Sequence, residues 1–201
     1  MAPKIVDKEL KKQDILDAAI KVFALKGIVK TKMIDIAKEA GIGKGTIYEY
    51  FRSKDEIIGE SIHAFLNQLD SVNIDPSVSD MDSMQLLLSV IDGWTKILTE
   101  DPAEAKVMID IWAESIRMEE KNKANIMLEV LEKYRQYLKS ILDRGIEKGE
   151  IRPIDTKSLA ALIAATLDGL YVHWIIGKEQ VNLEESVEVY KSTLISVLRN
   201  E

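Results

Sequence analysis

The chain has 201 residues, a net charge of −7, a hydrophobic fraction of 46% and no cysteine. It is long enough for one or two domains with a sizeable core, and too hydrophobic to be disordered. Without cysteine it forms no disulfide and offers no thiolate nucleophile, which agrees with a reducing compartment. The amino terminus has no apolar run of the signal-peptide kind, so we expect a cytoplasmic protein.

The charge is unevenly distributed along the chain. Residues 1–56 hold 12 Lys and Arg against 9 Asp and Glu, a net of +3, whereas residues 57–201 hold 15 against 25, a net of −10. Local field attracts phosphate more than the total charge does, so the basic end is where nucleic acid is expected to bind. We expect the acidic remainder to keep the affinity for random DNA low.

The chain begins with a polar arm, residues 1–12, that contains four lysines. Either the arm is a solvated start, or it contacts phosphates or the minor groove of DNA. A first helix is predicted from Lys8 to Lys26, ended by Gly27, with an apolar stripe that consists of Ile15, Ala19, Val22 and Phe23.

Two short helices joined by a tight turn are predicted within residues 31–54. Thr31 is expected to cap the first helix, and Gly41 to end it with a positive φ. In the second helix, Ile47 and Phe51 lie four residues apart and face the same core, which would fix the angle between the helices. Apolar residues at three-residue steps predict the buried face of the first helix: Ile34, Ala37 and Ala40.

The second of these helices has small, basic and aromatic residues on its outer side, as a major-groove recognition helix does. Its first turn, where free N–H groups favour a phosphate, contains Lys44 and Thr46. Glu49 on the same helix either points into solvent or accepts a hydrogen bond from a cytosine amino group. The residues predicted to contact DNA are Thr31, Lys32, Lys44, Gly45, Thr46, Tyr48, Tyr50 and Lys54.

This pattern resembles the helix-turn-helix of the TetR family of bacterial and archaeal transcriptional regulators. The resemblance covers about the first quarter of the chain and is carried by Thr31, Ile36-Ala37, Ala40-Gly41 and the run GTIYEYFRSK from Gly45 to Lys54. It implies a ligand-responsive regulator, most often a repressor, that binds a palindromic operator in double-stranded DNA as a homodimer. Gly43 departs from the pattern, which often has Ser or Thr there, so one hydroxyl-to-phosphate contact is in doubt.

A nucleotide-binding loop is the competing interpretation of the glycines at 41, 43 and 45. A P-loop requires an unbroken Gly-Lys-Ser/Thr, but Lys44 is followed by Gly45. Both this loop and the dinucleotide fingerprint follow a strand, and the residues before Gly41 predict a helix. The sequence therefore argues against a nucleotide site.

The remainder of the chain predicts further helices and no strands, so the fold class is all-α with about nine helices. A fourth helix from about Ser53 to Ser71 begins with a capping box of Ser53 and Glu56. His63 lies on it, either as a surface or interdomain hydrogen bonder or as a ligand sensor. We predict a DNA-binding domain at 1–56 and an effector-binding and dimerisation domain at 57–201. Later helices are expected at about 84–99, from 102, at about 122–148, from 155 to 176 and at 183–199.

The stretch from Leu159 to Ile176 is apolar nearly all round and is expected to need burial on several sides. Its length approaches that of a membrane span, but Asp168 and His173 interrupt it, so we predict no membrane. By the resemblance, the last two long helices of each subunit form a four-helix dimer interface, which places two recognition helices at two half-sites.

The resemblance also implies an effector cavity in the helical body. As a separate hypothesis, we expect a ligand that is small and largely apolar, with a cationic or polar end. Aromatic and Met residues at helical spacing are candidates for its wall, although the same pattern is common in ordinary cores. Asp168 and His173 would orient the ligand, bond across the dimer, or bond to backbone at the helix surface. The candidates are Trp94, Met108, Trp112, Tyr134, Tyr137, Asp168, His173 and Trp174.

Two other classes of function fit the sequence less well. The sequence offers an enzyme no thiol and no metal-ligand motif, and its two histidines are 110 positions apart. We therefore predict no catalytic residue, cofactor or metal site. A purely structural helical interaction module explains the body but gives no reason for the residues from Lys44 to Lys54.

Overall fold

A computed structural model describes residues 8–117, 121–177 and 180–199. Among these residues the fold is all-α, as predicted, and an isolated antiparallel bridge joins Ile151 to Arg199. Residues 1–7 of the predicted polar arm lie outside the described residues. The described ranges contain nine helices: α1 (Lys8–Lys26), α2 (Met33–Glu39), α3 (Lys44–Tyr50), α4 (Lys54–Ser71), α5 (Ser83–Glu100), α6 (Pro102–Arg117), α7 (Lys121–Glu147), α8 (Thr156–Ile176) and α9 (Leu183–Leu198).

The helix ends are set by local chemistry that the sequence displays. Gly41 follows α2 with a φ of 66°. Its N–H donates to the carbonyl of Lys38 at 3.3 Å, and the next N–H, of Ile42, donates to that of Ala37 at 2.9 Å. These two bonds satisfy carbonyls that the helix leaves unpaired. Side-chain caps begin the last two helices, with Asp155 before α8 and Asn182 before α9.

The chain divides into two compact units, each with its own core. Of the described residues, 8–67 and 101–117 form the first unit, and 68–100, 121–177 and 180–199 form the second. Helix α4 runs from the first unit into the second, since its last turn belongs to the second. The domain boundary between residues 56 and 57 stays a prediction.

The core of the first unit joins α1, α2, α3 and the start of α4. The predicted buried face of α2 is wrong at Ile34, which is 45% exposed. Ile36 lies about 200° further round the helix than Ile34, so both cannot face α1. The buried side chains that form this core are Ile15, Ala19, Phe23, Ile28, Ile36, Ala37, Ile47, Phe51 and Ile57.

Helix α8 buries only one stripe within the chain, so the predicted burial on several sides is not reached here. The stripe has helical spacing and consists of Thr156, Ala160, Ile163, Leu167 and Tyr171. On other sides Leu162 and Ile176 are 61% and 81% exposed. By length and composition alone, α8 is the one helix among the described residues that is apolar enough to cross a membrane. A core helix passes the same test.

Candidate nucleic-acid interface and effector site

Helix α3 separates an apolar inner side from a polar outer side. Ile47 and Phe51 are fully buried in the core of the first unit. Lys44, Gly45 and Glu49 are exposed, and Tyr48 keeps 46% of its surface free. Thr46 and Tyr50 are partly exposed. The side chains predicted to read DNA from this helix therefore lie on its surface.

The two glycines of the turn and helix differ in what they allow. Gly43 has φ −68° and ψ 152°, which any residue adopts, and a Cβ there would meet Thr46 Oγ1 at 3.7 Å, an ordinary contact. A serine would therefore fit at this position. A Cβ at Gly45 would have no described atom within 4 Å, so the space outside this helix turn is open to a ligand.

Thr31 does not cap α2, contrary to the prediction. The helix starts at Met33 with Lys32 as its N-cap residue. The Thr31 hydroxyl donates to the carbonyl of Gly27 at 2.8 Å, and the residue is 2% exposed. The Thr31 side chain therefore closes the α1–α2 loop from inside, and its predicted contact with DNA stays untested.

Asp35 supplies the helix-start chemistry that Thr31 does not. Its carboxylate accepts a bond from the Lys26 ammonium at 2.8 Å and from the N–H of Lys32 at 3.0 Å. These two bonds, the first the stronger, hold the pKa of Asp35 below its usual range. The loop between α1 and α2 is thus fixed at both ends, with the Lys32 side chain exposed.

Lys54 was also predicted to contact DNA, but its ammonium group is bonded to backbone carbonyls of the protein. The Nζ atom donates to the carbonyls of Ile28 at 2.7 Å, Thr31 at 3.1 Å and Val29 at 3.4 Å. These partners lie 23 to 26 residues earlier in the chain, so no local pattern indicates them.

The start of α4 confirms half of the predicted capping box. The N–H of Glu56 donates to the Ser53 hydroxyl at 3.2 Å, as expected. The Glu56 carboxylate accepts from the N–H of Arg52 at 2.6 Å, and not from that of Ser53. Arg52 itself is exposed directly after α3. Sequence reasoning left it out of the DNA-contact set, although its charge and position were visible.

In the second unit three of the predicted ligand-binding residues form one aromatic cluster. The ring of Trp94 lies 5.1 Å from that of Tyr134 and 6.5 Å from that of Tyr137, with tilted planes. Such tilted arrangements are favourable for aromatic pairs. The cluster joins α5 to α7.

A polar network that the sequence did not reveal surrounds this cluster. The Trp94 indole donates to Asn73 Oδ1 at 3.1 Å. The Tyr137 hydroxyl donates to the carbonyl of Ile74 and accepts from its N–H, both at 2.9 Å. Lys133 forms an ion pair with Asp70 at the end of α4. These contacts fasten the loop after α4 to α5 and α7.

The Tyr134 hydroxyl lies within this cluster, and the Asp168 carboxyl of α8 acts on it through its charge. The hydroxyl is buried with no hydrogen-bond partner among the described residues. Burial raises the pKa of Tyr134, and the charges of Asp70 and Asp168 raise it further. Burial also raises the pKa of the half-buried Asp168 to about 7. A buried donor without an acceptor is costly, which makes Tyr134 a candidate to bind a ligand.

A cavity of about 420 Å³ opens beside the same cluster. That volume is within the range of small-molecule sites. Its lining mixes two tyrosines with charged and polar side chains: Asp70, Asn73, Asp75, Pro76, Lys133, Tyr134 and Tyr137.

Of the other predicted ligand residues, Met108 and Trp112 belong to the first unit. Trp174 lies 5.6 Å from the ring of Tyr171. His173 is exposed in the single chain and Asp168 is half-buried, which agrees with a helix-surface position for His173 and leaves the bond across the dimer a prediction. The two are five residues apart on one helix, about 140° around its axis.

Comparisons with known proteins cover nearly the whole chain. Residues 15–60 match the family model of bacterial regulatory proteins, tetR family, and residues 84–199 match that of the BetI-type transcriptional repressor, C-terminal part. The fatty acid metabolism regulator protein of Bacillus subtilis (strain 168) is 27% identical over 199 residues, which cover 96% of this chain and 98% of that protein.

Two solved structures share the fold. The transcriptional regulator FadR from Bacillus subtilis, in complex with stearoyl-CoA, matches with a TM-score of 0.76 at 26% identity, over 92% of this chain and 97% of that one. A transcriptional regulator from Saccharomonospora viridis, in complex with choline, matches with a TM-score of 0.80 at 20% identity, over 96% of this chain and 100% of that one.

Asp168 should make the stability of the protein fall as the pH rises. The carboxyl of the unfolded chain has its ordinary pKa of 3.8, so between about pH 4 and pH 7 the folded form holds a proton that the unfolded form has released. The free energy of unfolding then decreases by roughly 2 kcal/mol between pH 5 and pH 8. Asp168→Asn cannot ionise, and urea unfolding of that variant at fixed protein concentration should lack this decrease.

Asp80→Asn is the control for this experiment, since it changes an exposed carboxylate in a loop. Its stability should follow the wild-type curve over the same pH range. If the free energies of unfolding of the wild type and Asp168→Asn changed in parallel with pH, the folded state would not raise the pKa of Asp168, and the prediction would be wrong.

Proposed function

Since the chain belongs to the TetR family of bacterial transcriptional regulators, we propose that it binds a palindromic operator as a homodimer and releases it when an effector occupies the helical body. It is a DNA-binding regulator, and the finer assignments are drawn from the arrangement of its side chains. The observation that carries the proposal is α3, which buries Ile47 and Phe51 and leaves Lys44 and Tyr48 outside.

The proposed DNA-contact surface consists of α3 and the residues on either side of it. The Lys44 ammonium would pair with a phosphate, and Tyr48 would donate to a phosphate or pack on a base. The open space over Gly45 would admit the DNA backbone closely. We add Arg52 for its exposed charge and omit Thr31 and Lys54 from direct contact. The surface is Lys32, Lys44, Gly45, Thr46, Tyr48, Tyr50 and Arg52.

The proposed dimer interface lies on α8 and α9. Leu162, Ala165 and Ile176 of α8 are exposed in the single chain, and so are Val189 and Val197 of α9. The two helices also contact each other. Exposed apolar residues on adjacent helices favour association with a second copy, and two-fold pairing matches a palindromic operator.

The proposed effector site is the aromatic cluster of Trp94, Tyr134 and Tyr137 with Asp168 near it. Aromatic faces and a carboxylate together favour an organic cation. An ionised Asp168 gains a partner in such a ligand, and the net charge of −10 on residues 57–201 favours a cation over an anion. We therefore propose an effector with an apolar body and a cationic end. The choline held by the structural relative is its smallest probe.

The DNA-contact surface is tested by fluorescence anisotropy with DNA from upstream of the gene and with scrambled DNA. Lys44→Ala should weaken upstream binding at least tenfold, and should reduce the slope of log affinity against log salt by about 2 for a dimer, because one phosphate contact is lost per subunit. Tyr48→Ala should weaken upstream binding with a smaller change in that slope.

The matched control is Lys96→Ala, which removes an exposed helical lysine of the second unit. It should leave affinity and slope unchanged. Equal weak binding of the wild type to both DNAs, with no effect of Lys44→Ala, followed by failure with random genomic fragments, would overturn the proposal.

The dimer interface is tested by placing a charge on α8. Leu162→Glu should convert the dimer to monomers in sedimentation experiments, because an ionised carboxylate cannot be buried unpaired between apolar helices. Leu128→Glu on α7 makes the same change at a residue of nearly equal exposure, 60% against 61%, and should leave the dimer intact. A dimeric Leu162→Glu, or a monomeric wild type, would contradict the interface.

The effector site is tested by titrating choline while following tryptophan fluorescence and operator release. Affinity should be about tenfold higher at pH 8 than at pH 6, since Asp168 must ionise to pair with the cation, and Asp168→Asn should remove that dependence. Tyr134→Phe should weaken choline binding without loss of stability, because its hydroxyl has no partner to lose.

Tyr190→Phe removes the hydroxyl of a tyrosine on α9 and should leave choline binding unchanged. Operator release by stearoyl-CoA, with none by choline, would replace the proposed cation by the ligand class of the Bacillus subtilis relative.

A further inference from the structure

The α1–α2 loop, residues 27–32, is folded around the ammonium group of a lysine from another helix. Gly27 turns the chain after α1, and the hydroxyl of Thr31 donates back to its carbonyl at 2.8 Å. The N–H of Thr31 donates to the carbonyl of Ile28 at 3.3 Å. Ile28 and Thr31 are buried. The carbonyls of residues 28, 29 and 31 then receive Lys54, the first residue of α4.

The number of donors matches the number of acceptors at this site. An ammonium group has three N–H donors and no acceptor. Lys54 Nζ has three carbonyl partners, with the short distance of 2.7 Å to Ile28 and longer ones of 3.1 and 3.4 Å to Thr31 and Val29. Bonds from a charged donor are stronger than those between neutral groups. The Lys54 ammonium therefore satisfies backbone carbonyls of this loop, as a capping side chain satisfies the free backbone groups at a helix end.

The position of this loop matters for DNA binding because of what it carries. It leads into α2 through the N-cap residue Lys32, and the exposed side chains of Lys30 and Lys32 extend from it. At its other end α4 is fastened in the second unit, where Asp70 pairs with Lys133 and Asn73 accepts from Trp94.

We propose that Lys54 is a positioning residue, which holds the α1–α2 loop on the first turn of α4 through an ammonium–carbonyl cage and does not act by contacting a phosphate. The proposal rests on the proposed function for its effect on the operator.

Two substitutions at Lys54 separate the cage from a phosphate contact. Lys54→Arg keeps the charge but replaces a compact ammonium by a planar guanidinium, which fits three converging carbonyls poorly. Lys54→Met removes the charge and keeps the chain length. Lys38, an exposed lysine in the last turn of α2, provides the control variants Lys38→Arg and Lys38→Met.

Hydrogen exchange of the free, full-length protein is the first measurement. In both Lys54 variants the amides of residues 28–32 should exchange at least tenfold faster, while those of α1 and α3 keep their wild-type rates. Neither Lys38 variant should change these rates. Unchanged exchange in the loop, or faster exchange throughout α1 and α3, would overturn the proposal. The second outcome would make Lys54 a general stabilising residue.

Operator binding of the same variants is the second measurement. Lys54→Arg should lose about tenfold in affinity despite its retained charge, with a salt dependence close to that of the wild type. A phosphate contact requires the opposite, with near wild-type affinity for Lys54→Arg and a slope reduced by about 2 per dimer for Lys54→Met. That result would overturn the proposal. If the wild type binds no operator, the proposed function fails, and the exchange rates still decide whether the cage exists.

Discussion

The burial of Ile47 in α3 and of Phe51 directly after it is the constraint on which the proposed DNA-contact surface depends. Helices of seven residues are too short to be stable alone, so their geometry comes from packing. Each of these side chains contributes about 1.5–3 kcal/mol by leaving water. Because the inner side of α3 is fixed in this way, its outer side is free to carry residues chosen for a ligand and not for stability.

Polar contacts complement this apolar core where the chain changes direction. The ammonium of Lys54 and the carboxylate of Asp35 satisfy backbone groups at the two ends of the α1–α2 loop. After α4 the Tyr137 hydroxyl bonds the backbone of Ile74 in the same way, and the Asn73 side chain accepts from the Trp94 indole. Buried or half-buried backbone groups need such partners, and a side chain from a distant helix can supply them. The same bonds connect elements whose movement a regulator has to coordinate.

Helix α8 shows how one sequence pattern serves two surfaces. Its stripe from Thr156 to Tyr171 completes the core of the second unit, while Leu162 and Ile176 remain outside. A helix that is apolar all round needs a second neighbour, and in the proposed dimer a second copy of the chain would supply it. Asp168 on the same helix is half-buried, and its raised pKa reflects that position.

The sequence by itself determined the helices, since capping residues, terminal glycines such as Gly41 and 3.6-residue periodicity are local signals. It also determined that α3 turns Lys44 and Tyr48 outward, because burial of Ile47 and Phe51 leaves them no other side. Only the tertiary structure decided which groups surround Thr31, Lys54 and Tyr134. The ammonium of Lys54 meets carbonyls more than 20 residues away, and Tyr134 lies near Asp168 only because α7 packs on α8. Such contacts depend on how the helices cross, which no local sequence pattern indicates.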